Sequence, residues 1–154
     1  MRQTFDRRTL LGICVGGAAG AALLTSATSG YAATMTFKAD LKGSSEVPPN
    51  QTTGSGTVTM TFDPATKMLS WTGSYSGMTG PVTAAHIHGP AEPGKNAGVV
   101  LWLSTKGAPF PSPFMGSATL TDAQVSDLMA GQYYVNVHTT ANPGGEIRGQ
   151  LEKS

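Results

Sequence analysis

Thr57-Val58-Thr59-Met60-Thr61-Phe62 alternates polar and apolar residues without a break. After Asp63-Pro64-Ala65-Thr66 the alternation resumes, with Leu69, Trp71, Gly73 and Tyr75 on one parity of the run Met68 to Tyr75. Strand side chains point to opposite faces in turn, so each run reads as a half-buried strand, with Val58, Met60 and Phe62 inward. The Asp-Pro turn between them makes the pair a hairpin. Working outward, Met35 to Leu41 alternates in the same way, and Ser44 to Gly56, rich in Ser, Pro, Asn, Thr and Gly, is a long loop. Val82 to His88 is a further strand. Val99-Val100-Leu101-Trp102-Leu103 is apolar throughout, as a central strand is. Phe114 to Leu120 suits an edge or return strand. Gln132 to His138 and Gly145 to Leu151 are two more, joined by Thr139-Thr140-Ala141-Asn142-Pro143-Gly144. One short helix interrupts the pattern. Thr121 and Gln124 form a capping box, Leu120 and Val125 a hydrophobic staple, and Gly131 supplies the stop. No internal repeat is present. The expected class is all-β: an antiparallel Greek-key β-sandwich or barrel with one short helix.

The chain has 154 residues, which suits one domain, and its formal net charge is +1, with 12% charged residues. That balance argues against a nucleic-acid binder working by phosphate neutralisation. The 39% hydrophobic content argues against a disordered chain. Met1 to about Ala32 reads as an export signal. Arg2, Arg7 and Arg8 form a basic start, Leu10 to Leu24 a mildly apolar stretch, and Gly30-Tyr31-Ala32 a small-residue cleavage site. The Arg7-Arg8 pair and the weak hydrophobicity fit a twin-arginine signal and a periplasmic or secreted destination. Cys14 lies inside this segment after Ile13, where a lipid-modified signal needs a small residue. No other stretch is long and apolar enough for a membrane span. The remainder, from about Ala33, keeps seven basic and eight acidic residues and no cysteine. It must therefore be held by its core, and it has no thiolate for catalysis or metal binding.

All three histidines fall in that remainder. His86 and His88 stand at i and i+2 in Ala84-Ala85-His86-Ile87-His88, so both imidazoles leave one face of the strand as a bidentate metal clip. His138 ends Tyr134-Val135-Asn136-Val137-His138, sharing a face with Tyr134 and Asn136, and becomes a third ligand if that strand packs near the pair. Three imidazoles without a thiolate favour copper, with zinc as the alternative. Each ligand needs an acceptor for its second ring N–H, and Asn136, Glu146 or a backbone carbonyl can serve. Glu146 and Arg148 share a strand parity and read as a solvated pair, or Arg148 sits near the metal and attracts an anion. Met60, Met68, Met78, Met115 and Met129 read as core filler, although Met78 and Met115 lie in loops that could approach a site. Trp71, Trp102, Tyr133 and Tyr134 read as core aromatics. Asn142-Pro143-Gly144-Gly145 reads as a tight turn closing a hairpin. No nucleophile elbow, phosphate loop or close carboxylate pair occurs, so hydrolase, kinase and dinucleotide-binding readings lack support.

Ala84-Ala85-His86-Ile87-His88-Gly89-Pro90-Ala91, the run Gly131 to Thr139, and Asn142 to Leu151 together resemble the CHRD (chordin-type) domain. The opening strand with Leu41, Gly43 and Ser45-Glu46-Val47-Pro48-Pro49 resembles that domain's start, so the likeness spans Thr34 to Leu151. It implies a sandwich or barrel of immunoglobulin-like or dismutase-like character in an exported protein, and leaves the activity open. The H-x-H strand is also similar to that of copper–zinc superoxide dismutases. This second likeness implies His86 and His88 as a copper pair, His138 as a distant ligand and Arg148 as a catalytic guide for a small anion such as superoxide. The chain departs from that pattern in lacking a fourth histidine, an Asp-bearing zinc loop and a disulfide, which points to a single copper with an open position. The expected function is an exported protein binding one copper ion, with dismutase-like redox activity. The alternative is a non-catalytic binding module or copper carrier.

Overall fold

The computed structural model describes residues 33–105 and 110–154; the export segment read over residues 1–32, with Arg7, Arg8 and Cys14, lies outside the described residues. Nine strands form one antiparallel sheet: β1 (Met35–Lys42), β2 (Ser55–Asp63), β3 (Met68–Ser76), β4 (Val82–His88), β5 (Val99–Trp102), β6 (Phe114–Thr119), β7 (Tyr134–Thr139), β8 (Ile147–Gln150) and β9 (Glu152–Lys153). Their order is β5-β4-β7-β8-β1-β2-β3-β6, with β9 also paired to β1. The sheet curls without closing, since β5 and β6 end the order and do not pair with each other. Curling is what unites the core. Phe37, Leu41, Val58, Met60, Phe62, Leu69 and Trp71 come from one half of the order, and Ala85, Ile87, Val135, Val137 and Ile147 from the other. All of them belong to a single buried cluster. The fold is therefore the all-β sandwich or barrel class that the alternation implies.

Local sequence explains the elements. The hairpin of β2 and β3 pairs Met60 with Trp71 and Phe62 with Leu69 on the inward face. Asp63 caps its turn by accepting from Ala65 N–H (2.9 Å) and the Thr66 hydroxyl (2.8 Å). Helix α1 (Asp122–Met129) begins with the complete capping box of Thr121 and Gln124, and Gly131 follows it at φ +70°.

Three expectations change. The apolar run at Val99 lies on β5 at the sheet edge, not at its centre. It is apolar on both faces because Leu101 pairs with Ile87 toward the core, while Trp102 pairs with His86 on the opposite face. Trp102 is consequently 43% exposed and is not a core aromatic. Of the five methionines read as filler, Met60 is buried and Met78 packs against the core from the side. Met68, Met115 and Met129 are exposed, the first two on the outward parity of β3 and β6.

Candidate metal centre

The register of β4, β7 and β8 assembles a polar face opposite the core. Residues directly opposite one another share a face, and His86 stands opposite Asn136, which stands opposite Arg148. In the next row His88, Tyr134 and Gln150 are aligned, and His138 faces Ala84. Alanine at that position leaves the His138 ring room to lean diagonally toward His86, and the two rings meet with His86 Nδ1 3.1 Å from His138 Nε2. One nitrogen of each of His86, His88 and His138 lies within 4.8 Å of those of the other two. The three imidazoles that the sequence singles out are thus brought together.

Their hydrogen bonds set which nitrogens are available. His88 Nδ1 donates to the Ala97 carbonyl (3.0 Å) and His138 Nδ1 to the Pro143 carbonyl (2.9 Å). A neutral imidazole has one N–H, so Nε2 of both rings carries a lone pair. Nε2 of His88 is buried and has no partner. His86 turns Nδ1 toward the cluster, where it donates to the His138 Nε2 lone pair at 3.1 Å; to act as a ligand it passes that proton to its own Nε2, which is buried with no partner. Two nitrogens about 2.05 Å from one tetrahedral ion lie about 3.3 Å apart, and the 3.1 Å His86–His138 contact fits that spacing. All three rings are held neutral. Burial, then the neighbouring His138 and His88, lower the His86 pKa to about 4. Burial is the largest cause of the lowering at His88 and His138 also. Neutral, oriented imidazoles are the state that binds a metal ion. For His88 and His138 the expected acceptor of the second N–H is a backbone carbonyl, while Nε2 of His86 has no partner. Asn136 donates instead to Glu46 Oε1 (2.6 Å), and Glu146 is engaged elsewhere.

Around this cluster stands a shell that sequence reasoning only partly found. Tyr134 stacks on His88, planes 4° apart and centroids 5.0 Å apart. Its hydroxyl accepts from Ala97 N–H (3.1 Å), in the residue whose carbonyl holds His88. Arg148 also lies over Tyr134, Cζ 3.4 Å from the ring centroid, a cation–π contact. Its guanidinium donates to the Lys95 carbonyl (2.6 Å) and Asn96 Oδ1 (2.9 Å), holding the chain just before Ala97. Arg148 is 2% exposed. Trp102 meets His86 edge to face at 4.1 Å. The expected solvated pair of Glu146 and Arg148 does not form. Both are buried, and the Glu146 carboxylate accepts from Thr52, Thr79 and Thr139. Burial alone would raise the Glu146 pKa, but these donors override it and hold it at about 2. Glu46 behaves oppositely. Burial raises it to about 7 against the lowering pull of Arg148 and the Val47 backbone. No signal in the Ser/Pro-rich loop marks Glu46 as a partner of Asn136; the parity shared by Tyr134, Asn136 and His138 is what could have found the shell. Met115 lies in β6, at the opposite end of the strand order from β4, and not in a loop.

The CHRD domain matches residues 37–151. The chain belongs to the CHRD domain family. No curated protein and no solved structure matches it. The sequence segments that carry the family resemblance meet around the histidine cluster. Glu46 of the opening motif touches Asn136, the H-x-H strand supplies two of the three imidazoles, and Gly145 of the Asn-Pro-Gly-Gly turn packs on Glu46 and Asn136. Among the described residues, no helix is long and apolar enough to cross a membrane.

Proposed function

We propose that this CHRD domain is an exported metal-binding module that holds one copper ion through His86 Nδ1, His88 Nε2 and His138 Nε2. The observation that carries this reading is the orientation of the rings: two Nδ1 protons are given to backbone carbonyls, so the lone pairs face inward. Three imidazoles with no thiolate suit Cu(II) best among available divalent ions, and Zn(II) next. Export through the twin-arginine segment supports a periplasmic or secreted location.

Copper with an open position would supply one-electron exchange, and superoxide dismutation is the most specific catalytic form of this reading. Arg148 supports it: among the described residues the ion pair present is Lys67–Asp122, so the Arg148 charge is not cancelled by a contacting carboxylate. A buried cation projects its field further than an exposed one. The same burial favours the second reading, a non-catalytic copper carrier, because a guanidinium engaged by Lys95 and Asn96 presents little of itself to solvent.

The test is titration of the residues 33–154 domain with Cu(II), followed by a superoxide-consumption assay on the loaded protein. Saturation at one equivalent supports the metal centre, and absence of saturable uptake refutes it. If the loaded protein consumes superoxide, Arg148→Ala is expected to slow it and flatten its salt dependence. If it does not, the domain is a carrier.

A further inference from the structure

We propose that Glu146 is a positioning residue for the metal centre, its buried carboxylate fixing the turn that aims His138. The inference rests on the metal-binding reading above and adds a residue that the reading does not use.

Glu146 is fully buried, and among the described residues no cation forms an ion pair with it. A buried carboxylate is costly unless hydrogen bonds compensate it, and here every bond comes from a neutral donor. Oε1 accepts from the Thr52 hydroxyl (2.6 Å) and Thr79 N–H (2.8 Å). Oε2 accepts from the hydroxyls of Thr139 (2.5 Å) and Thr79 (2.9 Å). A hydroxyl has one proton and two lone pairs. By taking both threonine protons, Oε2 leaves their lone pairs to accept, and both accept from Asn142. Asn142 N–H donates to Thr139 Oγ1 (3.1 Å), and Asn142 Nδ2 donates to Thr79 Oγ1 (3.0 Å). Asn142 is therefore held at backbone and side chain by two hydroxyls that the carboxylate orients. The next residue is Pro143, whose ring fixes φ and whose carbonyl accepts from His138 Nδ1 at 2.9 Å. The chain of contacts runs without a gap from Oε2 to the tautomer and direction of the third imidazole. Second partners of this kind typically change metal affinity by about 10- to 100-fold when removed.

The chemistry requires a pure acceptor. A glutamine amide would turn one N–H₂ toward donors, and the Thr79 backbone N–H cannot reverse its direction. Glu146→Gln and the near-isosteric Thr139→Val both break the relay, the second without touching the carboxylate.

The test counts the imidazoles coupled to Cu(II) by pulsed electron paramagnetic resonance, alongside Cu(II) affinity. Wild type is expected to show three. Glu146→Gln and Thr139→Val are expected to show two, with affinity weaker by about 10- to 100-fold. Thr121→Ala, which uncaps α1 away from the centre, serves as the stability control: its Tm falls while three imidazoles remain. If Glu146→Gln does not fold, Thr139→Val decides. Three imidazoles and wild-type affinity in the folded variants would overturn the inference while leaving the metal centre intact. Fewer than three in wild type would overturn the metal reading itself.

Discussion

Tyr134 couples His88 to Arg148: its ring stacks on the imidazole and also carries the guanidinium. Arg148 also pins the Lys95–Asn96 backbone beside the Ala97 carbonyl that orients His88. Arg148→Ala is therefore expected to weaken Cu(II) binding by about tenfold even in the non-catalytic reading, measured by competition titration. Arg148→Lys should recover little, since one ammonium cannot reproduce the fork that reaches both Lys95 and Asn96. Glu46 yields a prediction in pH. Its folded pKa, about 7, lies above the ordinary glutamate value of 4.5, so the folded state holds the proton more tightly. Its contribution is present below pH 4.5 and is lost as pH rises through 7. Glu46→Gln keeps an acceptor for Asn136 without an ionisable group. The variant should gain stability relative to wild type at pH 8, on the order of 2 kcal/mol, and lose that gain at pH 4.5, as read by thermal unfolding at the two pH values.

At the scale of elements, the turns carry as much of the centre as the strands. Gly145 sits at φ +132°, and a Cβ there would lie 2.4 Å from Asn136 Nδ2 and 2.7 Å from Glu46 Oε1. Gly145→Ala should destabilise the domain by about 2 kcal/mol or more through strain and collision, measured by denaturant unfolding, and weaken copper binding along with it. The Asn142–Gly145 turn thus does more than close a hairpin: it supplies the Pro143 carbonyl. Strands β1, β2 and β3 were legible in sequence because period-2 alternation records one buried face, and α1 because its capping box is local chemistry. The edge position of β5 was not. An apolar outward residue looks the same whether it enters a core or, like Trp102, lines an imidazole cluster. The exposed Met68 and Met115 escaped for the converse reason: parity predicts the face a residue takes, and residue type alone misled.

At the scale of the whole domain, the described residues form a curled sheet with an apolar inner face and a polar outer row built on β4, β7 and β8. The H-x-H spacing made two of the clustered imidazoles legible, but their meeting with His138 depends on the β4–β7 register, which pairs residues about 50 apart. Glu46, Asn96 and Pro143 enter from loops whose paths no local pattern encodes. Folding must keep the imidazoles neutral. Because burial lowers the histidine pKa values, to about 4 at His86 from the ordinary 6.5, the unfolded chain binds more protons. Stability from this source is present above pH 6.5 and is lost as pH falls toward 4, so the metal-free Glu46→Gln domain, which lacks the opposing Glu46 contribution, should melt at a lower temperature at pH 4.5 than at pH 7. Cu(II) at 100 times its Kd should stabilise the pH 7 protein by about 2.7 kcal/mol. The most direct measurement is anomalous diffraction from crystals of the copper-loaded domain. The expected result is one copper peak about 2.0–2.1 Å from His86 Nδ1, His88 Nε2 and His138 Nε2; a peak elsewhere, or a His138 ring turned away from the other two, would contradict the three-imidazole centre.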